Sequence, residues 1–150
     1  MSNSEVESPW YAEFPEPKAT ATTITRITLL SWMTEGKLAG KDFVLVDLRK
    51  ADYEGGTIRG SINLPAQSLY PTIPSLYNLF SSAGIPTVIW YCGSSGGRAT
   101  RAASWFADYI KHQNDVKMES DILEGGIKGW AKAGPEYVGL MNAYNPSSWQ

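Results

Sequence analysis

Cysteine and histidine are almost absent: the 150-residue chain holds one of each, Cys92 and His112. A single cysteine excludes an internal disulfide, and one thiol with one imidazole cannot complete a structural zinc site, so no metal site is expected. Clusters of basic charge are missing too. The net charge is −2, with 13 Lys and Arg against 15 Asp and Glu, which leaves no electrostatic footprint for nucleic acid or an anionic membrane surface. No 18-residue apolar run occurs, and residues 1–8 carry neither a basic n-region nor an apolar h-region. A soluble, cytoplasmic chain is expected, with the nucleus left open and oligomeric state unread. Such a reducing compartment suits an exposed reactive thiol.

What is present is enough apolar material, 43% of residues, for one compact core and too little length for two ordinary domains. Residues 1–19 contain Pro9, Pro15 and Pro17 among charges and read as an extended or disordered arm that Trp10, Tyr11 and Phe14 pin to the surface. Ordered structure is expected over 20–137, with 138–150 as a tail packed on or trailing from it. Thr25 or Thr28 caps a short helix that Gly36 ends. Asp42–Leu48 and Pro86–Tyr91 are short, β-branched, nearly continuous apolar runs, the pattern of parallel strands buried on both faces. Ile58–Leu64 reads as a weaker strand, Pro74–Phe80 as a helix, Ala99–Ile110 as an amphipathic helix, Asp121–Gly126 as the strand that closes the sheet, and Ile127–Ala133 as a last helical turn. The class is α/β, with a central, mostly parallel sheet flanked by helices.

Cys92 opens the segment Cys92-Gly93-Ser94-Ser95-Gly96-Gly97-Arg98, in which a thiol and a guanidinium bracket five small residues. Small residues let a backbone curl so that successive N–H groups converge on one oxyanion, and the position between a strand end and a helix start adds the helix dipole. The nucleophilic form of cysteine is the thiolate, which the amides, the helix and Arg98 each favour. Arg98 offers two parallel N–H donors to two oxygens, a geometry that lysine lacks. Cys92 is the expected nucleophile, Arg98 the anion clamp, and Gly93 to Arg98 the cradle. Ser94 and Ser95 either assist the thiolate or bond local backbone. A lone cysteine is commonly just a small buried apolar residue, so the order of strand, cysteine, glycine-rich loop, arginine and helix carries the reading.

Val46-Asp47-Leu48-Arg49, then Tyr53-Glu54-Gly55-Gly56-Thr57-Ile58-Arg59-Gly60 through Pro65, resembles the N-terminal signature of the rhodanese superfamily, and Leu123-Glu124-Gly125-Gly126-Ile127-Lys128-Gly129-Trp130 resembles its C-terminal one. The resemblance spans roughly residues 25–135 and implies a rhodanese-like three-layer fold. The seven-residue loop and Asp52-Tyr53-Glu54-Gly55-Gly56 are similar to the branch of cell-division-cycle phosphatases and eukaryotic arsenate reductases, whereas sulfurtransferases usually carry six loop residues. That branch implies a covalent Cys92 intermediate, a small oxyanion or phosphorylated substrate and no bound cofactor. Departures stand at Tyr91 and Thr57, where the branch commonly has histidine, at Ala99 after the arginine, within the loop, which carries no acidic residue, and at Leu48, where the mitotic phosphatases keep a second cysteine. Recovery from oxidation then needs an external thiol such as glutathione or a glutaredoxin.

A phosphatase or arsenate reductase is therefore expected first, a sulfurtransferase working through a Cys92 persulfide second, and a non-catalytic binding module third. Asp47 and Arg49 read as a structural ion pair, Glu124 as a local hydrogen-bonding residue, His112 as a solvated helix end, and Gly125 and Gly126 as turn residues.

Overall fold

The computed structural model describes residues 8–150; the part of the expected arm before Ser8 lies outside the described residues. Val44–Asp47 (β2) and Thr87–Tyr91 (β5) are buried along their whole length, as continuous apolar runs require. With Thr22–Ile24 (β1), Ile62–Asn63 (β4) and Glu119–Leu123 (β6) they form a five-stranded sheet in the order β1-β6-β5-β2-β4, every neighbouring pair parallel. The helices are Arg26–Thr34 (α1), Ile73–Ser82 (α2), Arg98–His112 (α3), Gly126–Ala131 (α4) and Pro135–Val138 (α5). Alternation along β5 feeds two apolar layers. Val88, Trp90 and Cys92 join the layer of α2 and α3, while Ile89 and Tyr91 join that of α1, α4 and α5. This is the three-layer α/β arrangement that the sequence predicts.

Several boundaries differ from the sequence reading. β1 was not expected at all, since three residues give no periodicity; it pairs with β6 at the sheet edge, so β6 lies inside the sheet and does not close it. The expected strand 58–64 is two. Gly60, at φ +85°, turns the chain, so that Thr57–Ile58 (β3) pairs antiparallel with Met141–Asn142 (β7) and only Ile62–Asn63 enters the main sheet. Thr25, not Thr28, caps α1, its hydroxyl accepting from the Thr28 amide at 3.2 Å.

Both flanking segments are tied to the core. The Pro15 carbonyl accepts from Trp105 Nε1 at 2.7 Å, and the Lys18 and Ala19 amides donate to the Asp108 carboxylate at 2.8 and 2.7 Å. Arg101 pairs with Glu16 and lies 3.5 Å over the Tyr11 ring. At the other end, the Asn145 amide and Trp149 Nε1 both donate to the Gly55 carbonyl, at 3.1 and 2.9 Å. A Cβ on Gly55 would stand 2.5 Å from Ser148 Cβ, which is why this turn needs glycine.

The charged pair expected at Asp47 and Arg49 forms at the carboxyl end of β2, at 2.8 Å and with both side chains buried. Arg49 spends its remaining donors on the carbonyls of Glu54 (2.9 Å) and Gly56 (2.7 Å), and so shapes the turn after β2. Asp47→Ala would leave Arg49 a buried, uncompensated charge and is expected to cost about 3–5 kcal/mol. Arg101→Ala, at a partly exposed pair, is expected to lose about 1 kcal/mol from the ion pair itself. Urea unfolding of both variants checks the contrast, and equal losses would contradict it.

Candidate active site

The loop from Cys92 to Arg98 leaves β5, the middle strand, and enters α3 directly. Its two ends are fixed to each other through the core: Trp90 Nε1 donates to Ser120 Oγ on β6 at 2.9 Å, and that hydroxyl donates to the Ala103 carbonyl on α3 at 2.8 Å. Cys92, whose thiol was expected to be exposed, is a buried residue, 3% exposed, because β5 alternation turns its side chain toward the layer under α3.

Four of the loop carbonyls are taken by protein donors. Those of Cys92 and Gly93 accept from the Ile127 and Lys128 amides at the start of α4, each at 3.0 Å; that of Ser95 accepts from the Thr100 hydroxyl at 3.1 Å, and that of Gly97 from the Arg101 amide at 3.0 Å. Among the described residues no protein acceptor takes the amide N–H of Gly93, Ser94, Ser95, Gly96 or Gly97. Five adjacent donors without a protein acceptor among the described residues, directly before the start of a 15-residue helix, are a run that can attract an anion. Gly126 permits this packing: at φ +60° a Cβ there would stand 2.5 Å from the Gly93 oxygen and 2.6 Å from the Cys92 oxygen. Ser95, at φ +63°, turns its hydroxyl to the Cys92 amide at 3.4 Å, and Ser94 is exposed. Ser95 thus takes the local backbone role of the two considered.

Arg98 presents the expected fork, but to a residue that sequence reasoning did not single out. Its Nη1 and Nη2 donate to Asp52 Oδ1 and Oδ2 at 2.8 and 2.6 Å. The hydrogen bonds from Arg98 hold the Asp52 carboxyl down at about 2, burial opposing and the charge of Arg98 adding to the effect. Asp52 in turn holds Arg98 above its ordinary value, with the neighbouring Cys92 acting in the same direction. Asp52, Lys128 and Gly93 share a cleft of about 470 Å³ with Arg49, Trp149 and Ser148. The signal for Asp52 and Lys128 is topological: they follow β2 and β6, the two strands that flank β5, and loops at the carboxyl ends of adjacent parallel strands converge.

Tyr91 and Thr57, which stand where the resembled branch has histidines, hydrogen bond to each other at 2.8 Å. The Tyr91 hydroxyl also meets Ser61 at 2.6 Å, and Thr57 donates to Asp47 at 2.8 Å. Burial pushes the Tyr91 phenol far up, so it stays neutral. Tyr91 faces the layer opposite Cys92 and anchors the end of β5 without touching the thiol's surroundings. Glu124 and His112 are exposed, and the described residues hold no cluster of His, Cys, Asp and Glu able to bind a metal ion. No helix among them is long and apolar enough to cross a membrane.

A carboxylate with a depressed pKa contributes stability above its unfolded value of about 3.9, and that contribution fades as pH falls through about 2. Carboxyl-carbon NMR should show Asp52 titrating near 2, moving up toward about 3.9 in Arg98→Met. A midpoint that stays put would mean that the pair does not set it.

The rhodanese-like domain family matches residues 29–133 of this chain. Over 115 residues the chain is 31% identical to arsenical-resistance protein 2 of Saccharomyces cerevisiae, covering 68% of this chain and 88% of that protein. Among solved structures, a yeast protein tyrosine phosphatase of the rhodanese family superposes with a TM-score of 0.74 at 22% identity, over 89% of this chain and 99% of its own. The As–Sb reductase of Leishmania major does so with a TM-score of 0.74 at 22% identity, over 85% and 90%. At those identities the two structures speak for the fold alone; the family match over most of the sequence makes the chain a member of the rhodanese-like domain family.

Proposed function

We propose that the protein is a cytoplasmic, cysteine-dependent oxyanion enzyme, an arsenate reductase first and an aryl phosphatase by the same chemistry. The observation that carries this reading is the run of amides from Gly93 to Gly97 that no protein acceptor takes among the described residues, between the buried Cys92 and the guanidinium of Arg98. The 31% identity to arsenical-resistance protein 2 supports the arsenic side. In this reading the Cys92 thiolate attacks arsenic, the arsenic–oxygen bond to one hydroxyl breaks, that hydroxyl takes a proton from solvent and leaves as water, and a sulfur–arsenic(V) bond forms. Two glutathione thiols then supply two electrons, arsenic departs as arsenite, and the thiols end as glutathione disulfide. With an aryl phosphate the phosphoryl group passes to sulfur, the aryloxide leaves, and water hydrolyses the phosphocysteine. Amides and arginine stabilise the charge that develops on the equatorial oxygens.

The acid–base character of the cleft narrows the substrates. Asp52, the carboxyl beside Arg98, is ionised at neutral pH and has no proton to give. Among phosphate esters, leaving groups that need little protonation are therefore favoured, aryl over alkyl, whereas the hydroxyl of arsenate draws its proton from solvent.

The test is a side-by-side assay of one sample with p-nitrophenyl phosphate, with arsenate plus glutathione and glutaredoxin, and with thiosulfate plus cyanide. Arsenate and aryl phosphate should be turned over, and Cys92→Ser should abolish both. Arg98→Lys should cost about 2 kcal/mol, roughly a 30-fold loss. Turnover of thiosulfate far above either oxyanion would replace this reading with sulfur transfer, and no turnover of any of the three would favour a binding module.

A further inference from the structure

The turn after β2 is built to hold one carboxylate still. Arg49, itself fixed by Asp47, donates to the carbonyls of Asp52 (3.4 Å), Glu54 (2.9 Å) and Gly56 (2.7 Å). The Lys50 amide donates to Asp52 Oδ1 at 3.2 Å. A half-exposed aspartate would otherwise be free to rotate; here its backbone and one of its oxygens are both restrained before Arg98 is counted.

Asp52 engages only the Nη1–Nη2 end of the Arg98 guanidinium. A guanidinium has five N–H donors, and the end-on fork uses one from each Nη. The Nε–H and the second hydrogen of Nη2 form another parallel pair, which gives no hydrogen bond to an oxygen among the described residues, while the Cys92 sulfur lies near enough to act on the guanidinium. Nη2 lies 3.6 Å from the place a Cβ on Gly93 would occupy, so this end of Arg98 lies against the loop. The charged groups around the pair are Lys128 from α4, Arg49 and Glu54 from the turn, and Cys92 itself.

We propose that Asp52 is a positioning residue for Arg98, gripping the Nη1–Nη2 end so that the Nε–Nη2 edge is presented to an oxyanion over Cys92. The proposal rests on the oxyanion reading of the loop and adds to it the residue that orients the clamp. It also gives the buried Asp47–Arg49 pair a task beyond stability, because that pair shapes the turn from which Asp52 reaches out.

The test reads anion binding without turnover. Cys92 is the sole thiol, so protection of the protein from iodoacetamide by added sulfate reports occupancy of the loop alone. Asp52→Asn keeps the side-chain shape and removes the charge; it is expected to weaken sulfate protection about fivefold, the equivalent of a partly exposed ion pair. In an Arg98→Lys background the same change should alter protection less than about twofold, because the fork it serves is gone. The Arg98 Nε–H resonance should shift on sulfate addition in the wild type and broaden in Asp52→Asn. Unchanged or tighter sulfate binding in Asp52→Asn would overturn the proposal, and so would an equal loss in both backgrounds. If sulfate fails to protect the wild type, the cradle reading falls and this proposal with it; if it protects wild type and Asp52→Asn alike, only the role of Asp52 falls.

Discussion

Two hydrogen bonds decide what the cysteine loop is. The Ile127 and Lys128 amides at the start of α4 take the carbonyls of Cys92 and Gly93, and once these oxygens face α4 the amides that follow are left to face the other way. A loop of small residues has no such preference of its own, since glycine populates both signs of φ with little cost. The orientation of these two peptides is thus imposed from outside the loop, by a helix six residues long whose first residue must be glycine to come this close.

The sheet order supplies the rest. Because β5 is flanked by β2 and β6 and all three run parallel, the chain leaves them at one edge, and their following segments deliver Asp52, the Cys92 loop and Lys128 to neighbouring positions. The charges are then organised in depth. Asp47 and Arg49 form a pair that water does not reach, Arg49 fixes the turn, and the turn carries the half-exposed Asp52 to Arg98. Low dielectric holds the inner pair in a single geometry, while the outer pair stays near enough to solvent to exchange partners.

The layered α/β class was legible because β2 and β5 are apolar without alternation, a pattern that only strands covered on both faces tolerate. The loop was legible because its chemistry is contiguous in sequence. β1 was not, since three residues carry no period and owe their conformation to pairing with β6. Asp52 was missed for a related reason: its partner stands 46 positions away, and nothing local distinguishes it from any acidic turn residue. Tyr91 shows the converse. Its place beside Cys92 in sequence suggests influence on the thiol, yet strand alternation sends the two side chains into opposite layers.

The segment Pro9–Ala19 roofs Trp105, whose ring meets Trp10, Phe14 and Tyr70 edge-on, on the same helix that begins at Arg98. A polypeptide trimmed to the family-matched span, 29–133, would forfeit this roof together with β1 and β7. It would bare an aromatic patch, turn β6 into an open edge ready to recruit other chains, and release the turn that carries Asp52 from Trp149. Insolubility or inertness of such a fragment would reflect lost coverage and say nothing about the chemistry of Cys92.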